Sequence, residues 1–183
     1  MARCWVRGRL RPMTEQHVAV VVCGNAGTGK STLGARLAAE MGAALLDMDT
    51  CTERMARLVL VGHGLSPDDR DSPEYKALLR DPVYETVFDI ARENLRHVSC
   101  VIVGPFTRER RDPTWPTRLS DRLGAPVEFV YVDCEHEAVR QRLEARANPR
   151  DVGKLADWNA YLQQSSDSQP PPFPHRLVDT TPP

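Results

Sequence analysis

No apolar run among these 183 residues is longer than a strand, which excludes a membrane-spanning helix, since that needs about 18 or more such residues. Neither sign of charge dominates. With 24 Lys and Arg against 25 Asp and Glu, the formal net charge is −1. Such a chain has no general attraction for nucleic acid or an anionic membrane, so any phosphate recognition must come from local groups of arginine and lysine. Paired cysteines are also missing. Cys4, Cys23, Cys51, Cys100 and Cys134 are an odd set with no C-x-x-C spacing, which argues against a disulfide framework or a zinc site and for a reducing, cytoplasmic setting. The basic start MARCWVRGRLRP lacks the apolar core of a signal peptide, and residues 1–16 are expected to form a disordered arm. What remains, 41% apolar and 27% charged, is the composition of one globular domain.

Strand-sized apolar runs alternate with helical patterns, which predicts an α/β fold whose parallel sheet is covered on both faces. Strands are expected at 17–23, 43–47, 100–103 and 127–132, with a short fifth at 176–178. Helices are expected at 30–41, where Leu33, Leu37 and Met41 share a face, and at 52–61, 74–79, 83–96, 115–123, 134–147 and 155–163. Asp81-Pro82 is read as a break between two helices, and the polar 62–73 and proline-rich 105–116 as loops. Residues 17–165 then make the domain, and 166–183 a proline-rich, extended tail.

The segment GNAGTGKS, residues 24–31, matches the phosphate-binding pattern G-x-x-x-x-G-K-[S/T] and directly follows a predicted strand. Gly24, Gly27 and Gly29 let the backbone turn tightly and aim its N–H groups inward, so a polyphosphate can rest on donors at a helix N-terminus. Asn25, Ala26, Thr28 and Thr32 complete the expected nucleotide contacts. Lys30 supplies charge for the β- and γ-phosphates, and the Ser31 hydroxyl suits Mg2+, which keeps most of its shell as water and phosphate oxygen.

Asp47 and Asp49, in LLDMDT, lie just beyond the second strand, where open parallel sheets bind ligands. One carboxylate could support the metal and the other could accept a proton from a substrate hydroxyl attacking the γ-phosphate; Asp47 is assigned the first role and Asp49 the second. The pair also has a purely structural reading, in which Asp47 ends the strand and Asp49 caps the next helix. The phosphate loop followed by DMD after a second strand resembles the small-molecule kinases of the P-loop superfamily. Shikimate and gluconate kinases, adenylylsulfate kinase, chloramphenicol phosphotransferase and zeta-toxin-like proteins belong to that group. The resemblance covers residues 18–162 in order of elements, and the loop is its specific part. It implies a P-loop NTPase fold with strand order 2-3-1-4-5, ATP and Mg2+ as the donor pair, and an acceptor near the ends of strands 2 and 3. One departure stands out: strand 3 ends in Gly104-Pro105, with no Walker B aspartate, which shifts metal support towards Asp47 and Asp49.

The same resemblance implies an arginine-bearing lid after strand 4, here near 146–154. Arg142 and Arg146 are four apart and share a helix face, and Arg150 follows Asn148-Pro149. Arg146 is expected to act with Lys30 and Asp49 in catalysis, with Arg142 and Arg150 helping to cover the nucleotide. Alternatively these arginines form a solvated helix face paired with Glu137 and Glu144. After strand 3, Thr107 and Arg108 lie nearest the strand end and are the expected acceptor contacts, unless the segment is an exposed loop anchored by Trp115. The expected partner is a small molecule bearing a hydroxyl. A nucleoside monophosphate acceptor, or an ATP-binding regulatory role without any acceptor, are the alternatives.

Overall fold

All six residues of β1 (Ala19–Gly24) are buried, as a central strand covered on both faces requires. The computed structural model describes residues 16–70, 72–166 and 169–182, with no side-chain account for 164–166. The arm expected over 1–16 therefore lies, except for its last residue, outside the described residues. Four more strands, β2 (Ala44–Asp47), β3 (Cys100–Val103), β4 (Val127–Asp133) and β5 (Arg176–Asp179), complete a sheet in the order β2-β3-β1-β4-β5. Every pairing is parallel, and Ala19 stands opposite both Cys100 and Val127. The expected P-loop NTPase topology is the observed one.

Alternate residues of β1 serve two cores. Ala19, Val21 and Cys23 join the side chains of α2 (Met48–Gly62), α3 (Pro73–Asn94) and α4 (Trp115–Leu123), whereas Val20 and Val22 pack with Leu33, Leu37 and Ala38 of α1 (Lys30–Met41). Met41, expected on that inner face, is 40% exposed. A third, smaller cluster joins Val139 and Leu143 of α5 (His136–Arg146) to Leu155 of α6 (Val152–Ala156) and to Trp158 and Tyr161 of α7 (Trp158–Ser166).

Three helix assignments differ from expectation. Asp47 accepts the N–H groups of Asp49 and Thr50, so α2 starts at Met48 and not at 52. The expected break at Pro82 does not occur: α3 is a single helix of 22 residues, opened by the Ser72 hydroxyl accepting the Tyr75 N–H and by Pro73 at the first position. An interior proline costs about 3 kcal/mol, but this helix buries Tyr75, Leu79, Val83, Tyr84, Val87, Phe88 and Ala91, and each large apolar side chain returns roughly 1.5–3 kcal/mol. Burial outweighs the lost hydrogen bond. The helix expected over 155–163 is two helices, α6 and α7, separated by Asp157. Short 3-10 turns occupy Glu109–Arg111 and Pro149–Asp151.

Candidate active site

The phosphate loop joins β1 to α1 at the carboxyl edge of the sheet. Gly29 is the residue before α1, and no side chain caps that helix or places an acid in its first turn, so its N–H donors stay available to an anion. Gly27 has φ 78°, and a Cβ there would lie 2.8 Å from Val139 Cγ1 and 3.1 Å from Leu143 Cδ2. The loop thus packs directly on α5. Inside the turn, the Asn25 carbonyl accepts both the Thr28 hydroxyl and the Lys30 ammonium. Burial, followed by the Arg110 charge, pushes Lys30 down to about 8, with Asp49 pulling the other way.

Ser31 donates its hydroxyl to Asp47 Oδ2 at 2.7 Å, while the other oxygen of that carboxylate caps α2. A hydroxyl and a carboxylate oxygen are the hard donors that Mg2+ selects, so these two residues fit a cation that takes its remaining ligands from water and phosphate. Among the described residues no group of three or more His, Cys, Asp and Glu side chains forms a metal cluster. Thr32 is exposed in the first turn of α1.

Asp49 points to a partner far along the chain. Arg150 donates to its Oδ2 at 2.7 Å and Oδ1 at 3.2 Å, and the same guanidinium reaches Glu53 at 2.8 Å. Glu53 Oε2 also accepts Arg70 at 2.8 Å. Burial alone would raise the Glu53 pKa, but the Arg70 hydrogen bond and the Arg150 charge win and hold it below its ordinary value. Sequence reasoning gives Glu53 no role, and it reads Arg70 only as one charge of the variable 62–84 segment, which could read an acceptor but is more often solvated surface. Asp49 is not the cap of α2; Asp47 is.

The other lid arginines are also engaged. Arg146 grips Asp151, whose side chain is 3% exposed, with one bond at 2.8 Å. Arg142 ties α5 to the segment after β5, donating to the Thr180 hydroxyl at 3.0 Å and the Thr180 carbonyl at 2.6 Å. Thr180 in turn donates to the Thr28 carbonyl at 2.8 Å, so Arg142 braces the phosphate loop from outside. Trp158 and Tyr161 stack at 5.0 Å, and the Tyr161 hydroxyl donates to the Ala26 carbonyl at 3.1 Å.

Beyond β3 the picture changes. Thr107 and Arg108 are exposed, and Arg108 is paired with Asp81 at 2.7 Å and Glu109 at 3.1 Å. Arg108 lines a cleft of about 440 Å³ bordered by Tyr84, Phe88 and Trp115, which no phosphate-loop residue reaches. The residue that does reach the loop from this segment is Arg110. It is 0% exposed, donates to the Asn25 side-chain oxygen at 2.6 Å, and lies 5.4 Å over the Tyr131 ring. Its local sequence, RERR, gives no sign of burial.

The family model described as AAA domain matches residues 20–171. No curated protein matches the chain. Solved structures share its fold at low identity. A candidate kinase from Chloroflexus aurantiacus superposes with a TM-score of 0.64 at 19% identity, covering 91% of this chain and 90% of that one. A sugar kinase from a Janibacter species gives 0.57 at 19% identity, with 89% and 85% covered. A shikimate kinase from Bacteroides thetaiotaomicron gives 0.51 at 16% identity, with 88% and 86% covered. Among the described residues no helix is long and apolar enough to cross a membrane.

Proposed function

This chain belongs to the AAA domain family and has a P-loop kinase-like fold, and on that premise we propose that it is an ATP-dependent kinase acting on a small-molecule hydroxyl. The observation that carries the reading is the Asp47-Met48-Asp49 turn. Asp47 touches the loop serine at 2.7 Å, and Asp49, two residues on, is held by an arginine from the lid segment. In this reading metal support and acceptor activation both start from one helix end.

In this reading the loop amides and Lys30 hold the phosphates. Asp49 takes the proton of the acceptor hydroxyl as its oxygen bonds to the γ-phosphorus, and the bond from that phosphorus to the β-phosphate oxygen breaks to release ADP. Mg2+ held by Ser31 and Asp47 would supply charge neutralisation at the phosphate oxygens. Arg150 leaves Asp49 for the transferred group as the acceptor enters, and Arg146 supports it, so cationic charge follows the charge that develops. The names of the sugar and shikimate kinases suggest the class of candidate: sugars and cyclic hydroxy acids.

The test is a transfer assay with γ-labelled ATP, Mg2+ and a panel of such compounds, run on wild type and Asp49→Asn. Labelled product is expected from wild type, with a loss of about 100-fold or more in D49N while ADP affinity stays within about threefold. ATP that binds without transfer to any hydroxyl, or a fully active D49N, overturns the proposal.

A further inference from the structure

Arg70, Arg108, Arg146 and Arg150 each meet a carboxylate. Arg110 meets none among the described residues. It is 0% exposed, makes a single side-chain hydrogen bond through Nη2 to Asn25, and leaves Nε and Nη1 without partners. A buried guanidinium in that state costs free energy unless a nearby charge compensates it. The Tyr131 ring, 5.4 Å away, offers it a cation–π contact, but no group that faces it supplies a negative charge. Burial raises the Cys23 thiol to about 11 and raises the Tyr131 hydroxyl as well, so both are neutral at ordinary pH, while Lys30 and Arg111 carry the same sign as Arg110 itself.

The backbone shows how the side chain comes to be there. Phe106 sits at φ 42°, an uncommon conformation for a residue with a Cβ, and is held by ring contacts with Tyr84, Phe88 and Trp115 at 5.2–5.7 Å. Its carbonyl accepts the Arg110 N–H at 2.9 Å. A strained, well-packed turn therefore directs an arginine inward, onto the Asn25 side chain of the phosphate loop. There Asn25 is held twice, by Arg110 on its side chain and by Lys30 and Thr28 on its carbonyl.

We infer that Arg110 is a positioning residue of the phosphate site: a buried cation that fixes Asn25 and whose charge is balanced by the polyphosphate resting on the loop. The inference builds on the nucleotide-binding reading and adds to it a cation inside the protein. An arginine kept for packing alone would have its donors satisfied in the free protein. This one is balanced only once an anion with several charges arrives, so its cost falls on the free state and its benefit on the complex.

The experiment compares the wild-type chain with Arg110→Met, Arg110→Lys and Arg110→Gln. Thermal melts are taken with and without Mg-ADP, and ADP affinity is measured by calorimetry. Wild type is expected to gain stability with Mg-ADP. R110M should melt, without ligand, at or above wild type and bind ADP about tenfold or more weakly, the scale of a lost charge-assisted contact. R110K, which keeps the charge, should recover most of that affinity. If R110M does not fold, R110Q decides: it keeps a donor for Asn25 but not the charge, and the same loss of affinity is expected. A variant that melts lower yet keeps its full ADP increment and affinity makes Arg110 a structural prop and overturns the inference. Wild type that gains nothing from Mg-ADP overturns the nucleotide reading, and the Arg110 role with it.

Discussion

Replacing Gly27 with alanine tests whether the phosphate loop and α5 are one packed unit. Two costs add. The left-handed backbone at φ 78° costs an L-residue roughly 1–2 kcal/mol. The new methyl would stand 2.8 Å from Val139 Cγ1 and 3.1 Å from Leu143 Cδ2, side chains that are 3% and 0% exposed and have little room to yield, which adds about 1–3 kcal/mol of overpacking. The total of about 2–5 kcal/mol lowers the melting temperature by about 5–15 °C in a protein of this size. The control is Gly42, which ends α1 at φ 62° with nothing within 4 Å of an added methyl, so alanine there carries only the backbone cost, about 2–6 °C. Melts of both variants with and without Mg-ADP separate the effects. G42A should keep its nucleotide increment. G27A should lose most of it, because relief of the clash moves α5 and turns the loop amides away from the phosphates. Equal destabilisation of the two variants would refute the argument, since it would mean that α5 gives way freely.

Two more outcomes are expected. Removing Arg146 leaves the Asp151 carboxylate, 3% exposed, without its partner, so Arg146→Ala should lose about 1–3 kcal/mol, or about 3–10 °C, as well as lowering kcat more than tenfold; a stable R146A would show that Asp151 finds another partner. Glu53 has a folded pKa below its ordinary 4.5, so its contribution to stability is complete above pH 4.5 and is lost as the pH falls through the lower folded value. Melts between pH 3 and 6, on the order of the carboxylate range, should show wild type losing its advantage over Glu53→Gln on acidification, and parallel curves would remove the Arg70-Glu53-Arg150 link.

What is readable in the sequence and what is not divides along contact distance. The phosphate loop is local: eight consecutive residues after an apolar strand state their own geometry, and the strand order comes with the resemblance they carry. Pro82 misleads because a local rule about a missing N–H has no view of the seven side chains that α3 buries. The arginines show the limit most clearly. Arg150 can be placed in a lid from its position, yet its partner Asp49 is 101 residues away, and only the fold brings the two together. Arg110 and Arg108 stand two residues apart in the same charged segment, one wholly buried against Asn25 and the other exposed; nothing in their composition separates them.

The contact between Thr28 and Thr180 joins residues 152 apart. Closing so long a loop costs little more free energy than closing a shorter one, because the entropy grows only with the logarithm of length. In time the separation matters more. At about 5–20 residues per second, a ribosome needs roughly 8–30 s to travel from one threonine to the other. Throughout that interval the phosphate loop exists without Thr180 or the Arg142 brace that depends on it. Its outer support is among the last parts of the site to be made, so the loop reaches its finished form only after residue 180 has left the ribosome.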